Sequence, residues 1–228
     1  MSGERIRMHL EQVEAERRRR QEDPELAAAV VAVKAYQETR FRATYADLLA
    51  DPQHAPAALF FLNELYGPRD FGERDAQFAR IVPTLVRLFP TDIVQTVAQL
   101  AELHALSEQL DSSMGAALRE ATMLPLDPDR YASAWRATAR AVDRSRQIEL
   151  LGNVGRSLAN HTRSALLRQS LRLMRGPARA AGLGELQRFL ELGFDTFRAL
   201  RQPEAFLQLI EARETTLAAA MFDGGSGA

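Results

Sequence analysis

The chain has 228 residues, a net charge of −1 and no cysteine. Its length suits one large domain or two small ones and can bury about 70% of the unfolded surface. The balanced charge gives no overall pull toward nucleic acid or anionic lipid. The missing cysteine excludes disulfides, thiolate metal sites and thiol nucleophiles. The first twenty residues, "MSGERIRMHLEQVEAERRRR", have no apolar stretch of the kind a signal peptide needs. No apolar run approaches a membrane span. A soluble, cytoplasmic protein is the expectation.

Residues 4–22 read as a polar helix with a thin apolar stripe, Ile6, Leu10 and Val13. Asp23-Pro24 is an N-cap followed by proline at the first helical position. It opens a second helix to about Ala50, with Leu26, Val30, Val33, Phe41, Tyr45 and Leu48 on its buried face. A short helix from Pro56 to Tyr66 is apolar on most sides, with Phe60, Phe61 and Leu65 in the core. Gly67-Pro68 would stop it, and Asp70 with Glu73 form a capping box for the next helix.

That helix carries Phe78, Ile81, Val82, Leu85 and Phe89, with a kink or break expected at Pro83. Ile93, Val97, Leu100 and His104 mark one face of another helix, which continues toward Leu124, bends near Gly115 and ends at Pro125. Asp127-Pro128 repeats the cap signal. Beyond it Tyr131, Trp135, Thr138, Val142, Ile148 and Leu151 keep helical spacing. Residues 151–174 follow in the same register to a break at Gly176-Pro177. Gly152 and Gly155 weaken this stretch and point to close approach of another helix. Two last helices, near 185–200 and 203–222, precede the tail "DGGSGA". No alternating β-branched run occurs. The pattern predicts a single all-α, mostly antiparallel bundle of about eight or nine helices and no sheet. Residues 1–22 would be a helix able to detach, 23–222 the bundle and 223–228 a flexible tail.

The segments "FFLNELYGPRDFGERD" and "ANHTRSALLRQSLRLMRGPARAAGLGELQRFLELGFDTFRAL", about a quarter of the chain, resemble a family of uncharacterised helical bacterial proteins. The resemblance implies an all-helical bacterial protein and carries over no activity, cofactor or catalytic residue.

Four histidines are present. His9 and His54 lie in polar surroundings; His104 and His161 fall on apolar stripes and must find partners there. Either could ligate a metal or haem, but the spacing is poor: Glu102 lies two residues from His104, on a different face, and Leu158 stands three before His161. No metal or cofactor is expected. Nucleophile-elbow, Walker and dinucleotide motifs are all missing. "RRRR", Arg17–Arg20, reads as a solvated face neutralised by its acidic flanks. Arg168, Arg172 and Arg175 share a face with His161, beside Asn160 and Arg163, and internal carboxylates are their expected partners.

Asn63 and Glu64 sit on a helix that otherwise looks buried, with Arg69 past its end as the nearest partner for Glu64. Asp70 and Arg74 are spaced to pair. Two functional expectations follow. The first is a non-enzymatic, self-associating interaction or scaffolding module, supported by Arg and aromatic content and the thin first stripe. The second is a small-molecule-binding protein or enzyme with a pocket around Glu64, Arg69, His104 and His161. No membrane contact is expected, and a neutral chain without a helix-turn-helix is a poor nucleic-acid binder.

Overall fold

The computed structural model describes residues 2–66, 71–119 and 126–223. Gly67, Pro68, Arg69, Asp70, Leu124, Pro125 and the tail after Asp223 lie outside that range, as do the side chains of Leu65 and Tyr66. The described residues form twelve α-helices and one π-helical turn, with no strand among them. The fold is all-α. In order they are α1 (Ser2–Glu22), α2 (Pro24–Thr44), α3 (Ala46–Ala50), α4 (Ala55–Phe61), the π turn Leu62–Tyr66 and α5 (Gly72–Leu88). They continue with α6 (Thr91–Arg119), α7 (Pro128–Ala137), α8 (Ala141–His161), α9 (Ala165–Leu173), α10 (Arg175–Ala180), α11 (Gly184–Ala199) and α12 (Pro203–Asp223).

Twelve helices replace the expected eight or nine because local breaks divide the longer segments. Tyr45 separates α2 from α3. Ala139 takes a left-handed φ of 52° between α7 and α8, which resets the helical phase and leaves Val142 82% exposed. The run expected to continue through 151–174 stops at His161, and Ser164 caps α9 by accepting from the Leu167 amide. Gly176-Pro177 does not end a helix. It falls in the first turn of α10, where proline removes an amide that has no helical partner anyway. Pro83 likewise does not break α5: it lies on the exposed face above exposed Ala79, whose freed carbonyl can meet water.

The Asp-Pro caps form as expected. Asp23 accepts from the Leu26 amide at 3.0 Å and Asp127 from the Arg130 amide at 2.9 Å. The α5 start differs, because Phe71 holds the cap position without a side-chain bond and Asp70 lies outside the described residues.

Helix α6 is the central post, with α1, α2 and α8 packed along it; α12 packs on α8 and α5 on α1. Three apolar clusters fill the spaces. One gathers Phe41, Phe60, Phe61, Phe189, Phe197 and Phe206. A second joins Ile6 and Leu10 of α1 to Val82, Leu85 and Val94. The third holds Val33, Met114, Tyr131 and Trp135. Phe89, expected in the core, is 44% exposed just past the end of α5. The two α8 glycines do permit close approach: a Cβ on Gly155 would lie 2.4 Å from Leu207, and one on Gly152 1.6 Å from the Glu211 carboxylate. Among the described residues no helix is long and apolar enough to cross a membrane.

Candidate functional site

The stripe of α1 does not end at Val13. Arg17 and Arg20 continue its spacing of three and four, and both point inward, whereas Arg18 and Arg19 are exposed. "RRRR" is therefore only half a solvated face. Arg17 pairs with Asp75 of α5, and Arg20 with Glu108 of α6 while donating to Ser112 Oγ at 2.9 Å. This first helix, expected to be held loosely, supplies two cations to the interior.

Asp75 is the node. One oxygen accepts from Arg17 and, at 2.7 Å, from His104 Nε2; the other lies 3.5 Å from Arg74 Nε. Burial alone would raise the Asp75 pKa. The His104 hydrogen bond and charge, with Arg17 and Arg74, outweigh it and hold the carboxyl at about 2. An ionised Asp75 can only accept, so His104 must carry its proton on Nε2 when it binds there.

One turn along α6, Glu108 accepts from Lys34, the only lysine of the chain, at 2.7 Å. Burial again opposes ionisation, but Lys34 and Arg20 hold Glu108 at about 2. Asp111 follows, accepting from Gln37 at 2.9 Å with Lys34 at 3.8 Å. Here burial wins and pushes the carboxyl up. On the far side Glu214 of α12 takes both Arg40 amines, at 3.1 and 3.3 Å, and the Tyr45 hydroxyl at 2.7 Å. Arg144 of α8 stacks 3.8 Å above the Trp135 ring and donates to Gln147, which donates to Ser107.

Of these groups Lys34, Arg40, Asp75, His104, Glu108, Asp111, Arg144 and Glu214 line a cavity of about 130 Å³ at the place where the three apolar clusters meet. Leu103 and Phe189 wall it from the first cluster, Leu85 and Ala101 from the second, Tyr131 and Trp135 from the third. A volume walled by both ion pairs and hydrocarbon can hold a small amphiphilic guest.

The residues singled out from sequence separate into two groups. Glu64, Arg74 and His104 line the cavity. Glu64 is 2% exposed and takes a bidentate bond from Arg188 of α11, at 3.1 and 3.3 Å, while its carbonyl accepts from Arg74. Arg188 is thus a partner of Glu64 that the spacing did not suggest; Arg69, the expected partner, and Asp70 lie outside the described residues. His161 does not face His104. It meets Thr96 at 3.0 Å, two turns along α6, about 12 Å away at the helical rise. Asn160 and Arg172 are exposed and Asn63 half-buried. Arg168 sits 3.5 Å from Asp195, and Arg175 donates to Glu191 at 2.5 Å, so α11 supplies internal carboxylates to that ridge. Among the described residues no group of three or more His, Asp or Glu is arranged to hold a metal ion.

Residues 16–227 match the family described as "Domain of unknown function (DUF8198)". The chain belongs to this family. The DUF8198 match begins just before Arg17, so every side chain of the buried network lies inside it. No curated protein and no solved structure matches the chain.

Sequence reading missed Asp75, Glu108, Asp111, Lys34, Tyr131, Trp135 and Arg144 as site residues. A signal existed for the acids: His104, Glu108 and Asp111 recur at i, i+4 and i+7 and so share one face of their helix. Asp75 carries no such mark, since only the docking of α1 and α6 reveals its partners.

Proposed function

We propose that this protein binds a small molecule in the central cavity, between the Asp75–His104 pair and the Tyr131–Trp135 wall. The observation that carries the reading is the cavity itself, about 130 Å³, surrounded by charged side chains already paired and held in place. A rigid, pre-paired wall lowers the cost of binding, because few side chains must be ordered when the guest arrives. Nothing in the wall requires catalysis: His104 has a carboxylate partner, and Ser107, the nearby hydroxyl, donates to the Leu103 carbonyl. A ligand bound only by the folded state raises the melting temperature, since it stabilises that state by RT ln(1 + [L]/Kd). The test is a thermal-shift panel of single-ring and short-chain compounds on the wild type and on Ala101→Leu, which fills the cavity. A shift in the wild type that the filled variant loses supports the reading. No shift from any compound, or equal shifts in both proteins, contradicts it.

Protein contact has one observation in its favour: α9 buries no residue, and Leu166 and Leu173 are 73% and 71% exposed. A second copy of the chain is the occupant this reading requires. Light scattering tests it: a dimer that Leu166→Glu dissociates supports it, and a monomer removes it.

A further inference from the structure

The charge of the chain is unevenly distributed. Between Thr162 and Arg201 stand eight arginines and three acids, so this stretch carries +5 and the rest of the chain −6, against −1 overall. All three of those acids are already taken: Asp195 lies beside Arg168, Glu191 beside Arg175 and Glu185 beside Arg188. Arg163, Arg172, Arg179, Arg198 and Arg201 are exposed and form no ion pair among the described residues. The net charge alone predicts no attraction to lipid because it averages this asymmetry away.

Helix α9 and the short α10 form an outer layer, packed on α11 and on each other. Half-buried Leu167, Arg168 and Leu171 mark the inner face of α9. Leu166 and Leu173, two turns apart on the opposite face, point to solvent, and Met174 follows them, 51% exposed. Unpaired arginines bracket this apolar line: Arg163 before the helix, Arg172 within it and Arg179 beyond it. A helix with an apolar outer line and basic flanks suits a lipid interface, with its leucines among the acyl chains and its guanidinium groups at the headgroups.

Three occupants can be compared. A second copy would set this positive patch against itself, because a two-fold interface pairs the same surface on both subunits. A nucleic acid would answer the charge but not the leucines, and α9 and α10 contain no aromatic side chain on which a base could stack. An anionic bilayer answers both.

We propose that α9 and α10 dock the protein on an anionic lipid surface, with Leu166, Leu173 and Met174 entering the interface and Arg163, Arg172 and Arg179 meeting the headgroups. The contact is with one leaflet and spans nothing. The negative remainder of the chain is repelled by the same surface, which orients the docking. This inference is independent of the central cavity.

The test floats the full chain with vesicles of phosphatidylglycerol or of phosphatidylcholine, while circular dichroism melts confirm that each variant folds. Each basic side chain near an anionic surface raises affinity about fivefold. The three arginines should therefore give phosphatidylglycerol an advantage of about a hundredfold, which shrinks as added salt screens the charges. Arg163→Gln, Arg172→Gln and Arg179→Gln combined should remove that advantage. Leu166→Ser with Leu173→Ser should weaken binding about tenfold at an unchanged melting temperature. No binding to phosphatidylglycerol, equal binding to both lipids, or binding that either set of substitutions leaves unchanged overturns the proposal. Tighter binding to duplex DNA that survives the leucine substitutions assigns the patch to nucleic acid and also overturns it. A dimer that hides the leucines, seen by light scattering, does the same.

Discussion

Replacing Asp75 by asparagine removes the charge at the network's node and keeps its shape. Asparagine can still accept from His104, so the perturbation isolates the anion. A carboxyl held at about 2 instead of 3.8, at about 1.4 kcal/mol per pH unit, contributes about 2 kcal/mol of folding free energy at neutral pH. The substitution also leaves Arg17 and Arg74 close together without their counter-charge. Breaking a fully buried pair costs about 3–5 kcal/mol, but Arg17 retains some contact with solvent (16% exposed) and can relax. The expected loss is therefore about 2–4 kcal/mol. Because the folded pKa lies below the unfolded one, this stabilisation is complete above about pH 4 and disappears as pH falls toward about 2. Urea unfolding followed by Trp135 fluorescence, at about pH 7 and about pH 3, measures both quantities. The wild-type protein should lead by the full amount at the higher pH, and the gap should narrow at the lower. An Asp75→Asn protein as stable as wild type at neutral pH, or a gap that ignores pH, would refute the reasoning.

Removing residues 1–22 takes away Ile6, Leu10 and Val13 and strips Asp75 and Glu108 of Arg17 and Arg20. Calorimetry should show a melting temperature lower by more than about 10 °C, because one kcal/mol alone moves a domain of this size by about 2–4 °C. A double-mutant cycle on Arg20→Met and Glu108→Gln should give a coupling of about 1–3 kcal/mol, read from urea midpoints; additive losses would mean that the pair contributes nothing together. Gly155→Ala gains about 1 kcal/mol of helix propensity but sets a Cβ 2.4 Å from Leu207, which is buried between α8 and α12. Net destabilisation by about 1–2 kcal/mol is expected, and a more stable variant would show that the helices can part.

Much of the fold is legible in the sequence because periodicity and caps are local. The stripe from Leu26 to Leu48, which runs along α2 and into α3, is buried throughout, and both Asp-Pro pairs cap the helices they announce. Helix breaks were harder. Ala139 carries no sign that it will adopt a positive φ, and Ser164 was one serine among several. The site was the least visible part. Glu64 needed an arginine and found Arg188, 124 residues away, a separation that no local pattern reveals. "RRRR" looked like surface because four consecutive charges usually are. Only extending the Ile6–Leu10–Val13 phase by another turn separates Arg17 and Arg20 from their neighbours. Asp75, between the charged Arg74 and the bland Ala76, acquires meaning only when α1, α5 and α6 meet.

The measurement that bears most directly on the central cavity as a binding site is a high-resolution crystal structure grown with the compound that gives the largest thermal shift. The expected result is density for that compound inside the bundle, against Leu103 and Phe189. A cavity closed by the protein's own side chains, or the compound found only on the surface, would contradict it.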